Sequence, residues 1–395
     1  MVLKSLDSAG WTHREGLAAL TRALGAENIR WVGGAVRDGL LGVDAADVDC
    51  AARLLPADVI AACGRAGIRT VPTGIDHGTV TAILRDGPVE VTTLRRDVVT
   101  DGRRATIAFA QDWAEDAARR DFTINALYAH PETLEIADYH GGLADLAAGR
   151  VRFIGDPRQR IAEDHLRILR YYRFQTRFGA ELDDAAEGAC ADLAHTLKGL
   201  SRERIAAELL ALLALPDPHP TIARMRSRSV LPVILPEACP PQVAALARLI
   251  AAESAQGVAP DPVRRLAALL PPSPDVAETV AARLRLSKAQ RARLVAAAER
   301  EAGDAADPRA LAYRLTPAVA TDRLLLAGAD ASVLAGWSLP VFPLKGGAIV
   351  ARGITAGPAV ARVLQAVEAR WVEEGFPDDA RIEALLSEEL ARATP

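Results

Sequence analysis

Residues 31–38 read Trp31-Val32-Gly33-Gly34-Ala35-Val36-Arg37-Asp38, and soon afterwards the chain continues Asp47-Val48-Asp49. In the first stretch a short apolar run meets two glycines and then a helix-compatible segment. Glycine lets backbone amides come close to a phosphate, and a helix N-terminus favours negative charge; Arg37 offers a cationic contact beside them. A Gly-Gly turn ahead of a helix is also very often nothing more than a turn. The aspartates add the discriminating information. Residues i and i+2 of a strand point to the same face, so Asp47 and Asp49 converge on one spot. Such a pair is unfavourable on a half-buried strand unless a cation compensates it, and Mg²⁺ prefers hard oxygen ligands. A solvent-facing edge strand is the plainer explanation of the same pair. Glu90, between Val89 and Val91, reads either as a third carboxylate of the cluster or as a solvated strand residue.

Working outward, short β-rich runs alternate with helix-like segments up to about residue 154: Ile29 to Val32, Val48 to Cys50, Thr79 to Leu84, Val89 to Leu94 and Val151 to Ile154. This texture predicts a small α/β head. The linker Arg85-Asp86-Gly87-Pro88 suits an antiparallel hairpin, which disfavours a purely parallel doubly wound sheet. After Asp156-Pro157 the chain turns alanine-, leucine- and arginine-rich, with proline clusters near 215–220, 232–240 and 259–274, and reads as helical.

At 395 residues with 50% hydrophobic side chains, two or three folded domains are expected and a disordered chain is excluded. A net charge of -4 removes global basicity as a sign of nucleic-acid binding, so any RNA contact has to use local patches. Residues 150–177 hold eight arginines against three acids, and 281–300 hold six basic residues against one acid. Either run could track an RNA backbone, and solvated helix faces explain them equally well. Cys50, Cys63, Cys190 and Cys239 fit neither zinc spacing nor a disulfide framework and read as reduced thiols. The first residues lack the apolar run of a signal peptide and no uncharged stretch reaches membrane-spanning length, so a cytoplasmic enzyme is expected.

The ordered motifs identify the resemblance. GGAVRDGLLGVDAADVD (33–49), Arg119-Arg120-Asp121-Phe122-Thr123-Ile124-Asn125-Ala126, Asp138-Tyr139-His140-Gly141-Gly142 leading to Ile154-Gly155-Asp156-Pro157, Glu163-Asp164-His165-Leu166-Arg167-Ile168-Leu169-Arg170 and Leu200-Ser201-Arg202-Glu203-Arg204-Ile205 follow one another in the chain. Together they resemble the class II CCA-adding tRNA nucleotidyltransferases and bacterial poly(A) polymerases, within the polymerase β-like superfamily. The resemblance covers roughly residues 29 to 210. It implies an α+β fold: a nucleotidyltransferase head with a small mixed or antiparallel sheet (1–155), a helical nucleotide-reading neck (156–215), and a helical body and tail (216–395) that holds tRNA. Arg120 and Asp121 would lie near the nucleotide ribose with Asn125 close by, since Asp121 and Asn125 share one face if their segment is helical. An N-capping Asp121 with a surface Asn125 is the alternative.

Asp164, Arg167 and Arg170 are spaced three apart and form one polar stripe if Glu163 to Arg173 is helical, with Leu166 and Leu169 toward the core. An ordinary helix ion pair explains this spacing. Hydrogen-bond arithmetic offers more: Asp accepts and Arg donates. Cytosine and adenine each place an amine donor beside a ring-nitrogen acceptor, complementary to that pair. Guanine and uracil oppose like with like. The resemblance implies that the protein itself templates CTP and ATP through these positions.

The implied reaction is in-line attack of a tRNA 3′-hydroxyl on a nucleotide α-phosphate, with two Mg²⁺ on Asp47 and Asp49 and release of pyrophosphate. No obligatory protein partner is evident. The charged linker from Arg95 to Asp116 matches the place of the flexible element in family members that add the terminal A. Poly(A) synthesis, partial CC or A addition, and a catalytically silent RNA-binding scaffold are the competing readings. The acidic stretch from Glu368 opposes a basic RNA-gripping extension, and retention of both aspartates opposes the scaffold.

Overall fold

The computed structural model describes residues 3–45, 47–101 and 104–393. Ala46 of the first motif and Gly102 and Arg103 of the Arg95–Asp116 linker lie outside them. The chain divides into two compact units, one ending at Ile234 and one beginning at Leu235.

The first unit is built on strands β1 (Ile29–Val32), β2 (Val48–Ala52), β3 (Arg69–Gly74), β4 (Thr79–Leu84), β5 (Gly87–Thr93), β6 (Arg95–Asp101), β7 (Arg104–Phe109), β8 (Leu127–Ala129) and β9 (Ile136–Asp138). Seven of them form one sheet in the order β3-β4-β5-β2-β1-β8-β9, while β6 and β7 pair by themselves. Only β2 and β5 run parallel; the other neighbours are antiparallel. The expected mixed sheet of an α+β head is therefore present, with the β4–β5 hairpin turning through Arg85 and Asp86.

Five strands were not anticipated, β3, β6, β7, β8 and β9. The Arg95–Asp116 linker is not an irregular segment: its backbone makes the β6–β7 hairpin and then enters a helix. The expected strand at Val151 to Ile154 is corrected. That run is buried, but it contributes only a single bridge, between Phe122 and Phe153. Its apolar character reflects burial, with Ile154 seated in a cluster with Val32, Ala51, Leu94, Trp113 and Tyr128.

Helices of this unit are α1 (Glu15–Leu24), α2 (Gly34–Leu40), α3 (Pro56–Arg65), α4 (Trp113–Ala118), α5 (Gly142–Ala148), α6 (Pro157–Glu163), α7 (Arg167–Phe178), α8 (Asp184–Asp192), α9 (Arg202–Leu213), α10 (His219–Ser227) and α11 (Leu231–Ile234). Leu17, Leu20 and Leu24 of α1 recur at helical spacing and are buried, the pattern of a helix laid on a core. Helix α7 buries Ile168, Leu169, Tyr171, Tyr172 and Phe174 and leaves arginines on its remaining surface.

The second unit is helical: α12 (Pro240–Ala255), α13 (Pro262–Ala268), α14 (Pro274–Arg283), α15 (Lys288–Ala298), α16 (Pro308–Arg314), α17 (Pro317–Leu326), α18 (Gly346–Val350), α19 (Pro358–Glu373) and α20 (Asp379–Ala393). Proline opens six of these nine helices, at positions where a missing N–H is not needed. Inside this unit lies a buried ionic cluster. Asp322 accepts from Arg264 Nε at 2.9 Å and Arg293 Nε at 2.6 Å, while Glu253 accepts from Arg264 Nη1 at 2.8 Å and Arg265 Nε at 2.9 Å. Among the described residues, no helix is long and apolar enough to cross a membrane.

Candidate active site

Asp49 lies on β2 and Asp47 immediately precedes its first residue; both are exposed, while Val48 and Cys50 are buried. The sheet register then sets Glu90 of β5 directly opposite Asp49, and Val32 opposite Asp49 on the other side. Residue Gly33 follows Val32 with φ of 72°, a conformation that side chains resist. A Cβ there would stand 3.6 Å from both Asp49 Oδ2 and Arg120 Nη1, so the bare backbone passes between a carboxylate and a guanidinium. Asp49, Glu90, Thr92, Arg95, Arg119 and Arg120 line a cleft of about 190 Å³ together with Val32 and Cys50. A larger depression of about 670 Å³ against Arg224 and Ser227 of α10 and Arg228 just after it includes none of the carboxylates, so volume does not mark the site.

Protein packed around Asp49 desolvates it, and Glu90 and Asp47 repel it, so its carboxyl sits above the ordinary range although Arg120 opposes the rise. A cation beside these carboxylates would offset that cost, and hard oxygen donors fit a divalent ion. Among the described residues, however, no three His, Cys, Asp or Glu are gathered closely enough to hold a metal by themselves. The donor set suits an ion completed by phosphate oxygens rather than a closed protein cage.

Arg120 is aimed by a residue absent from the sequence reading. Asp116, 1% exposed, accepts from Arg119 Nε at 2.8 Å, from Arg120 Nη2 at 3.4 Å and from the Tyr128 hydroxyl at 2.6 Å. The Tyr128 oxygen in turn accepts from Arg120 Nε at 2.9 Å. Burial works against the charge of Asp116, but Arg119 and Arg120 outweigh it and hold the carboxyl below its usual range. The signal was available, since Arg119 and Arg120 follow Asp116 at i+3 and i+4.

Other expected site residues are placed differently from their simplest reading. Arg37 lies behind the glycine turn, with Nη2 3.7 Å from where a Gly34 Cβ would be, and is engaged by protein partners there. Its guanidinium is 4% exposed, bonds Asp38 Oδ1 at 2.9 Å and the Asn125 side-chain oxygen, and lies over the rings of Phe174 and Phe178. Asp121 and Asn125 are not on a helix: α4 ends at Ala118, and Thr123–Asn125 is a 3-10 turn. They still meet, with Asn125 Nδ2 donating to Asp121 Oδ1 at 3.0 Å. Asp121 also receives Arg170 Nε at 2.7 Å. Burial opposes its charge, yet Arg170 and the amide donors hold it below the ordinary carboxylate range.

The single helical stripe through Asp164, Arg167 and Arg170 is likewise corrected. Helix α6 stops at Glu163, Asp164 is extended with φ of -148°, and α7 starts at Arg167. The Asp164 side chain takes the Leu166 N–H at 3.1 Å, a local bond that competes with helix continuation. Its other oxygen is held by Arg204 Nη2 of α9 at 2.8 Å. Arg167 Nη1 bonds Glu163 at 2.6 Å and its Nη2 reaches the Arg119 carbonyl at 3.1 Å, which ties it to the arginine motif beside the carboxylates.

Comparison with known proteins agrees with this geometry. Residues 29–152 match the family model described as the Poly A polymerase head domain, and residues 179–240 match one described as a probable RNA and SrmB-binding site of polymerase A. The mitochondrial CCA tRNA nucleotidyltransferase 1 of Mus musculus is 36% identical over 383 residues, covering 92% of this chain and 87% of that protein. The Homo sapiens protein of that name is 35% identical over the same shares. The solved structure of the Bacillus stearothermophilus CCA-adding enzyme in complex with CTP superposes with a TM-score of 0.75 at 25% identity, covering 96% of this chain and 98% of that one. A mixed-sheet head carrying paired carboxylates beside a glycine turn defines a nucleotidyltransferase. With these relatives, the chain belongs to the CCA tRNA nucleotidyltransferase family.

Proposed function

We propose that this enzyme completes tRNA 3′ ends with C, C and A from CTP and ATP, without a nucleic-acid template and with release of pyrophosphate. The observation that carries the reading is the pairing of Asp49 with Glu90 beside Gly33 and Arg120, joined through Arg119 to the neck residue Arg167. Asp47 and Asp49 would hold Mg²⁺, which when bound supplies Lewis acidity at the 3′-hydroxyl and neutralises the triphosphate. The protein's part is placement. The Gly33-Gly34 amides and Arg120 hold phosphate oxygens, and Asp116 keeps Arg120 extended toward them.

Base choice rests on Asp164 as acceptor and Arg167 as donor. Of the five guanidinium N–H groups of Arg167, Nη1 is engaged by Glu163 and the Arg160 carbonyl and one Nη2 hydrogen by the Arg119 carbonyl. Nε and the second Nη2 hydrogen are left for a ring nitrogen. A nucleobase with a carbonyl beside a ring N–H leaves both contacts mismatched. The head (1–155), neck (156–215) and tRNA-holding body and tail (216–395) form our functional division of the chain. All four cysteines are free, three of them buried, which supports a reducing compartment and, in our reading, the cytoplasm.

The test is extension of tRNA transcripts ending before CCA with CTP, ATP and Mg²⁺, resolved at single-nucleotide length. Addition that stops at three nucleotides is expected. Long adenylate tails, arrest after CC, or no extension would each overturn the reading.

A further inference from the structure

Arg37 stands directly behind the glycine turn: its backbone N–H donates to the Gly33 carbonyl at 3.2 Å, and its Nη2 lies 3.7 Å from where a Gly34 Cβ would be. Its guanidinium is packed over Phe174 at 5.1 Å and Phe178 at 4.6 Å, both on α7. Asp38, the next residue of α2, accepts from Arg37 Nε through one oxygen and from Arg177 Nη2 of α7 at 3.0 Å through the other. Asp38 is 8% exposed, and the Arg177 side chain is about one-third exposed. One charge-assisted bond, from Arg177 to Asp38, together with the stacking of Arg37 on Phe174 and Phe178, therefore bolts the helix after the glycine turn onto the helix whose first residue is Arg167.

We propose that Asp38 and Arg177 are positioning residues of the nucleotide site, clamping the phosphate-holding turn of the head to the base-reading helix of the neck. The two ends of one nucleotide are bound by these two elements, so its affinity depends on their being held at a fixed separation. Burial pulls the Arg37 guanidinium below its ordinary range, with Asp38 opposing. Asp38 thus also neutralises the cation that underlies the turn. Neither Asp38 nor Arg177 contacts the nucleotide in this scheme. The inference rests on the proposed nucleotide site and adds the coupling between its two halves.

Arg177→Ala separates this clamp from a merely structural contact, because Arg177 is partly exposed and its removal leaves the Arg37–Asp38 pair intact. The expected result is a rise of about tenfold in Kd and KM for both CTP and ATP, the scale of one charge-assisted bond. The KM for tRNA and the kcat should stay within about threefold. Arg177→Lys, which restores a cation opposite Asp38, should recover most of the loss. In Asp38→Asn, adding Arg177→Ala should change nucleotide Kd by less than about twofold, since the partner is already gone. Unchanged nucleotide Kd in Arg177→Ala, an equal rise in tRNA KM, or failure of lysine to rescue would overturn the clamp. Equilibrium titration of CTP and ATP needs no turnover, so the clamp is tested even if wild-type protein fails to extend tRNA. That failure would count against the proposed function instead.

Discussion

Asp49 faces Glu90 across a parallel strand pair, and desolvation reinforced by that repulsion makes its charge a liability to the fold and an asset to the site. Asp49→Asn should leave thermal stability unchanged or raised, while nucleotide addition falls at least about a thousandfold, the scale of losing a preorganised charged group. Comparable addition rates would remove Asp49 from the chemistry. Asp116 behaves oppositely. Its folded carboxyl is held below the unfolded value of about 3.9, so its contribution is fully present above that pH and is lost as pH falls through the lower folded value. Asp116→Asn should cost about 3–5 kcal/mol at neutral pH and flatten the acid limb of the stability profile; an unchanged limb in urea titrations from pH 6 to 3 would refute this. At this scale the sequence shows identities but not partners. All eight arginines between residues 150 and 177 turn out to be ion-paired, with Asp145, Glu181, Asp192, Glu163, Asp121, Glu208 and Asp38. Most of those carboxylates lie far along the chain, so a run that looks basic in a window is neutralised in space. Arg283, Arg291 and Arg293 of the second basic run are paired in the same way.

At the level of elements, legibility followed the length and regularity of the signal. The β1 run, the glycine turn into α2 and the exposed-buried alternation of β2 were readable because each is a local pattern. Strands β8 and β9, three residues each, were not, since pairing alone makes them strands. The break at Asp164 was missed because helical spacing continues across it; what ends α6 is one side chain accepting the backbone N–H of Leu166, two residues on. Asp164→Ala should therefore loosen the junction and relax base choice together, raising UTP and GTP incorporation relative to CTP and ATP by about tenfold or more. Unaltered selectivity would refute the templating role. Gly33→Ala tests the turn. At φ of 72° a Cβ carries a strain of about 1–2 kcal/mol and places a methyl in van der Waals contact with Asp49 and Arg120. Nucleotide KM should rise with only a small drop in Tm; an unchanged KM would take the turn out of the phosphate site.

Across the whole molecule, each unit has its own means of cohesion. The second unit buries Asp322 completely and gives it two arginines, Arg264 and Arg293. Removing Asp322 leaves Arg264 with Glu253 and Arg293 with Asp261, so each guanidinium loses one of its two carboxylates and the buried positive charge is under-compensated, which is worse than never having buried it. Asp322→Ala should destabilise the full chain by about 3–5 kcal/mol in urea unfolding, and a loss below about 1 kcal/mol would mean that water relieves the cluster. The first unit is organised by its one parallel strand pair. β2 and β5 lie side by side, yet β3 and β4 are threaded between them in sequence. Neighbours joined by hairpins can zip locally, but this pair needs a crossover that closes a long loop first. Asp49 and Glu90 therefore come together late. During refolding, helix signal and hairpin pairing should return before any catalytic competence, and a nascent chain that has not yet emerged past β5 has two aspartates but no active site.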